Sequence, residues 1–277
     1  MAKYYTSRFS DIFEILQSKG VVELSKAIKR YFFGHIQRWF QEKKWGESYP
    51  DHLSLIYADP NDVKYYLLQS RQTDYHFDQE IERPVLDVDE LDRARFRVRV
   101  NTGKIIGGDW DQNKREWENL IIFQSLREVF KKNREWENTK FINSCLEQID
   151  NGYDCYGYGT KNEFLENRCE YIDSLYTNMC ENGYKTQEEL KDDHRSKDIL
   201  HEVSVNIGRD GELIFNNETG HHRLSLAKIL DLPEIPMLVV VRHQKWQRLR
   251  DEIQKKGLHE RHKSLRYHPD LKDVLPE

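Results

Sequence analysis

No run of about eighteen consecutive apolar residues occurs in the 277-residue chain, so no segment is composed to cross a bilayer as a helix. The N-terminus, Met1-Ala2-Lys3-Tyr4-Tyr5 leading into Ser10-Asp11, lacks the apolar stretch and small-residue cleavage site of a secretory signal. A soluble, cytoplasmic protein is expected. Cysteine is scarce. The four residues, at 145, 155, 169 and 180, form no Cys-x-x-Cys pair and stand beside no His at zinc-finger spacing. Ordinary buried or half-buried thiols are expected, and a structural zinc site is not indicated. Apolar residues make up only 38%, and the charged fraction of 33% exceeds the usual ~25%. Aromatics at 12%, with six Trp and fifteen Tyr, still supply a core and exclude wholesale disorder. A net charge of −5 argues against a globally basic nucleic-acid binder while leaving room for a local basic patch.

Periodicity organises the rest. Residues 9–45 read as helical: Val21, Leu24, Ile28, Ile36 and Phe40 recur at helical spacing, with Lys26, Lys29, Arg30 and Arg38 between them. Such a basic amphipathic stretch, carrying Trp39 and Trp45, either packs its apolar stripe on the domain behind it or makes peripheral contact with an anionic membrane. Residues 53–58 form a short strand, Asp59-Pro60 stops it, and a helix is expected through Tyr65 to Leu68. Residues 70–90 are polar loop or linker. Residues 95–100 alternate Phe96, Val98 and Val100 against Arg95, Arg97 and Arg99, which predicts a half-buried strand. Ile105-Ile106-Gly107-Gly108-Asp109-Trp110-Asp111 reads as a strand end, two flexible glycines and two acids. Residues 115–149 and 163–181 read as helical, the latter ending at Asn182-Gly183. Between them, residues 151–160 place Gly152 and Gly157 at P-loop spacing, but Tyr158-Gly159 stands where Lys-Ser/Thr is required, leaving a loop.

Punctuation sharpens after His201. Val203, Val205 and Ile207 alternate with polar residues, Asp210-Gly211 marks a hairpin turn, and Leu213-Ile214-Phe215 returns. Asn216-Asn217-Glu218-Thr219-Gly220 leads into a helix from His221, which ends at Leu232-Pro233. Residues 235–241 form a continuous apolar run, short enough for a buried strand. Trp246, Leu249 and Ile253 mark a last helix up to Gly257. A glycine at a strand-to-helix junction lets a ligand approach the backbone, and the first N–H groups of the helix favour an anion. Thr219, Gly220, His221, His222 and Arg223 are therefore phosphate-binding candidates, joined by Arg242 and His243 at the end of the following strand. The same pattern also fits a plain helix start, capped by Thr219, with Arg223 paired to a local acid.

The run from Gly211 to Lys228, closed by Glu234-Ile235-Pro236-Met237-Leu238-Val239-Val240-Val241, resembles the ParB/sulfiredoxin superfamily, and Gly220-His221-His222-Arg223 is closest in lettering to its free serine kinase branch. His221 stands where sulfiredoxins carry their catalytic Cys, so a sulfinic-acid reductase is excluded. Partition-type ParB proteins have Glu-Arg-Arg after the glycine, and no helix-turn-helix pattern follows Val241. The resemblance implies an α+β fold, a mixed sheet with flanking helices. In that layout residues 1–90 are an added N-terminal helical region, 91–277 the domain proper, and about 112–165 a helical insertion. It also implies an ATP- or ADP-dependent kinase in which Mg²⁺ bridges the nucleotide phosphates to a carboxylate. By chain order Asp109 and Asp111 are the expected catalytic and metal-binding acids, with Glu202 a further catalytic candidate and Glu218 another acid near the turn. The acceptor would be a hydroxyl of a small molecule or glycan.

Two other functional classes compete. Between Arg242 and Lys272, ten Lys/Arg face four Asp/Glu, a local basic tail that fits a nucleotide-binding switch or DNA-associated protein as well as a solvated face. A metal-dependent ParB-like nuclease would need His and acid at a ligand spacing that the sequence does not display.

Overall fold

The computed structural model describes residues 36, 38–67, 97–190 and 199–275, which fall in two compact units, Met1–Tyr49 and Pro50–Glu277. In the first unit residues 36 and 38–45 are helical, and Trp45 Nε1 donates to Gln41 Oε1 one turn back at 2.9 Å. Ile36, Trp39 and Phe40 are exposed there. The rest of the amphipathic pattern, residues 9–35, and the polar stretch at 70–90 lie outside the described residues. No described helix is long and apolar enough to cross a membrane.

Among the described residues the second unit is α+β, built on an open mixed sheet of seven strands: β1 Leu55–Ala58, β2 Tyr65–Leu67, β3 Lys104–Ile106, β4 Lys114–Glu116, β5 Val203–Ile207, β6 Leu213–Phe215 and β7 Ile235–His243. The order is β1-β7-β5-β6-β2-β4. Parallel β3 and antiparallel β1 follow one another along the edge of β7 that β5 leaves open. This unit begins at Pro50, and β1 and β2 belong to its sheet, so the boundary expected near residue 90 falls some forty residues earlier.

Every residue of β7 is buried, as its continuous apolar run requires. Met237 and Val239 join the main core, while Leu238 and Val240 join a smaller cluster with Val98 and Leu200. Among the described residues five longer helices accompany the sheet: α1 Ile121–Lys132, α2 Lys140–Asp150, α3 Glu170–Asn182, α4 His221–Ile229 and α5 Gln244–Lys256. Leu126 of α1, Phe141 of α2 and Leu224 of α4 are completely buried in the main core, so the helices within residues 112–165 pack into the same core as α4.

Local chemistry accounts for the departures from the sequence pattern. The helical stretch expected over 115–149 is interrupted: Asn133 takes a left-handed conformation at φ 52°, and Thr139 caps the next helix through Ile142 N–H. Tyr65-Tyr66-Leu67 is a strand rather than a helix because β4 and β6 both pair with it. The alternating segment after Arg95 turns helical at Val98–Asn101 instead of extending. There the Glu218 carboxylate accepts Val98 N–H at 2.6 Å and starts the turn, while β3 takes the neighbouring edge of β7.

The region after His201 follows its pattern closely: β5, β6, an α4 beginning at His221, and a buried β7 that runs to His243. The hairpin differs in detail. Only Gly211 of the Asp210-Gly211 pair has positive φ, and Gly211 N–H bonds Gly208 carbonyl. The connection is thus a type I turn followed by a left-handed glycine rather than a two-residue turn. A Cβ on Gly211 would lie 2.4 Å from the Trp246 ring, which explains the glycine by space as well as by φ.

Candidate phosphate-binding site

Helix α4 starts from Gly220, whose φ of 95° is left-handed and whose absent Cβ would meet Val203 Cα at 2.7 Å. The glycine therefore seats the helix start directly against the first residue of β5. No side chain caps the helix. Thr219, the expected cap, instead donates to the Glu202 carbonyl at 2.9 Å and lies 3.1 Å from Ser204 Oγ. A helix start without a side-chain cap keeps N–H groups and the positive end of the helix dipole directed at whatever lies before it.

The three residues after Gly220 point to three different partners. His221 Nε2 lies 2.7 Å from Asn217 Oδ1, and its ring meets Phe215 edge-on at 4.8 Å. Arg223 turns inward: Nη1 donates to Glu202 at 3.0 Å, Nη2 donates to the His201 carbonyl, and the guanidinium covers the Tyr184 ring at 5.4 Å. Glu202 is 1% exposed, and it also accepts the Tyr184 hydroxyl at 3.0 Å and the Gln187 N–H. Arg223 is thus the partner of a buried carboxylate, with its fork already occupied. His222 is buried and faces Arg168, whose Nη2 lies 3.2 and 3.3 Å from its two ring nitrogens. Burial, together with the Arg168 and His221 charges, holds its pKa well below the ordinary histidine value and keeps it neutral.

Four expected site residues lie elsewhere. Asp109 and Asp111 follow β3, which runs parallel to β7, and both bind Arg209 in the hairpin after β5. Gly220 touches Val203 at the opposite end of β5, on the order of 15–20 Å away at about 3.3 Å per strand residue. The two acids therefore do not face the Gly220 turn, which removes them as acids for a ligand bound there. Arg242 and His243 also sit at the far end, level with Ile207. Arg242 is buried against Asp270 at 2.6 Å, while His243 Nε2 donates to the Gly108 carbonyl and its Nδ1 accepts Lys245 N–H. Neither is placed for a phosphate at α4.

The buried cations of the basic tail are likewise paired: Arg242 meets Asp270, and Arg250, fully buried, pairs with Asp273 at 2.6 Å and approaches Asp270 at 3.4 Å. Among the described residues no group of three His, Cys, Asp or Glu is arranged to hold a metal ion. With each Glu202 oxygen already accepting a hydrogen bond, the donors do not fit a resident Mg²⁺.

Arg168 and Tyr156 lie beside His222, with Tyr171 on the Arg168 guanidinium, a cluster that the sequence motifs do not point to. One signal was present in the sequence. Positions three and four residues either side of Arg168 are Leu165, Phe164, Tyr171 and Ile172, so its own helical segment offers it no carboxylate. Comparison with known proteins gives no match: no family model, no curated protein and no solved structure resembles the chain significantly.

Proposed function

We propose that the chain is a nucleotide-dependent phosphotransferase of ParB/sulfiredoxin type, with ATP or ADP as donor and the hydroxyl of a small molecule or glycan as acceptor. The observation that carries this reading is the start of α4. A left-handed glycine seats an uncapped helix terminus against β5, and a neutral His222 beside it leads to the guanidinium of Arg168. Backbone N–H groups and a planar cation are what a phosphate group requires.

Phosphoryl transfer depends mainly on positioning and charge neutralisation. The carboxylates nearest the turn are Glu202 and Glu218, and these replace Asp109 and Asp111 as the acids to test. Glu218 is the more accessible of the two, sits two residues before Gly220 and anchors itself on Val98 N–H. Any Mg²⁺ arrives with the nucleotide as its counter-ion.

The test is thermal denaturation with ATP, ADP, CTP and GTP, each with and without Mg²⁺, followed by phosphorus NMR with hydroxyl acceptors. A ligand at 100 times its Kd raises stability by about 2.7 kcal/mol. No shift with any of the four nucleotides would overturn the reading.

A further inference from the structure

Arg168 lies in a π-helical turn, Leu165–Cys169, that joins the short helix Lys161–Phe164 to α3. Isolated π-turns are frequent at functional sites because the extra residue re-aims a side chain. Here the guanidinium carbon stands 4.0 Å from the centre of the Tyr156 ring and 5.2 Å from that of Tyr171. Nη2 is almost equidistant from both nitrogens of His222, so it lies against the ring rather than in line with one lone pair. Nε is buried without a hydrogen-bond partner, and no carboxylate among the described residues pairs with this side chain.

The neighbouring ring is held at a backbone cost. Tyr156 has φ 53° and Gly157 φ 83°, inside a turn closed by Cys155 and Tyr158 through reciprocal 3.0 Å hydrogen bonds. Two consecutive positive φ values favour Asn-Gly, and a bulky aromatic at the first position is an outlier. Such strain persists mainly where the surroundings hold it for a purpose. The strained residue keeps 43% of its surface open, and Tyr171 keeps 47%. An exposed aromatic ring, a cation without a carboxylate and the start of α4 therefore lie side by side.

We propose that Arg168 is the phosphate-recognition residue of the α4 site and that Tyr156, flanked by Tyr171, is the surface against which the ring of the ligand stacks. The ligand class is a phosphate ester that carries a ring, a nucleotide on the functional reading above, on which this assignment rests. Arginine offers phosphate oxygens a planar fork, and aromatic faces accept any base.

The test compares full-length chains by calorimetric titration with ATP and with inorganic tripolyphosphate, alongside melting temperatures. Arg168→Gln should weaken both ligands tenfold or more, and Arg168→Lys, which keeps charge without the fork, should fall between. Tyr156→Asn relieves the turn, so its melting temperature should hold or rise. Its ATP affinity should nevertheless fall tenfold, with tripolyphosphate changed less than twofold. Wild-type ATP affinity in folded Arg168→Gln or in Tyr156→Asn would overturn the assignment while leaving the function intact. Absence of nucleotide binding by the wild type would overturn both.

Discussion

Asp111, completely buried, accepts Arg209 Nε at 2.8 Å and the backbone N–H of the same residue at 2.9 Å. One carboxylate thereby locks both the side chain and the backbone of the turn between β5 and β6. Burial alone would raise its pKa, but the side-chain and backbone hydrogen bonds from Arg209, together with the charges of His243 and Arg209, outweigh burial and hold it at about 2.

Asp111→Asn should therefore destabilise the fold by about 2–3 kcal/mol, below the full cost of breaking a buried pair because Arg209 can regain water. The pH dependence has a definite sign. The folded pKa lies below the ordinary 3.8, so the stabilisation is complete above 3.8 and disappears as pH falls towards 2. Urea unfolding from pH 6 to pH 2 should show wild type and variant converging at the acid end. Parallel curves would show that Asp111 is not the titrating group.

Gly220→Ala should cost more than 2 kcal/mol, since the new Cβ meets the backbone of Val203 and the residue must keep a positive φ. Gly211→Ala meets the Trp246 ring in the same way and should cost a similar amount. Chemical denaturation measures both, and a change below 0.5 kcal/mol in either would contradict the described packing.

Lys228 lies over the Trp117 ring at 5.4 Å, and burial brings its pKa down from 10.5 to about 8. The charged form is penalised in the folded state, so stability should rise as pH increases from about 8 to 10.5. Lys228→Met should flatten that rise and stabilise the protein at pH 7 by about 1–2 kcal/mol, allowing for residual solvent screening. A pH profile identical to wild type would contradict this.

Arg223→Ala leaves the buried Glu202 charge without its cation and should destabilise by about 2–4 kcal/mol. Adding Glu202→Gln should recover part of that loss. Because Arg223 is directed at Glu202, nucleotide affinity of the folded variant should fall less than fivefold, unlike Arg168→Gln. A tenfold loss of affinity without loss of stability would return Arg223 to the ligand.

The elements from β5 to α5 were legible because each boundary is marked by a residue with a local reason: Gly211 in the turn, Gly220 before α4, and Gly257 after α5 at φ 78°. The break between α1 and α2 was legible in principle from Asn133 and Thr139. What the sequence hides is pairing at a distance. Tyr65-Tyr66-Leu67 is a strand only because β4 and β6 flank it, and the helical turn at Val98 depends on a carboxylate 120 residues later. Chain order alone points Asp109 and Asp111 at the Gly220 turn, yet β3 lies parallel to β7 and carries them to the far end of the sheet. Arg168 lacked a helical acid partner in plain view. Its contact with Tyr156 depends on two loops meeting, which no local pattern encodes.

The strand on which this sheet depends is also the last of its strands to be synthesised. β1, β3 and β5 each find their partner in β7, so β1 waits roughly ten seconds or more at about 5–20 residues per second before Leu238 emerges to meet Leu55. Until then those strands present unpaired edges that other chains can capture. The nascent chain should therefore remain protease-sensitive and chaperone-dependent until β7 is free of the ribosome, and then close cooperatively around it.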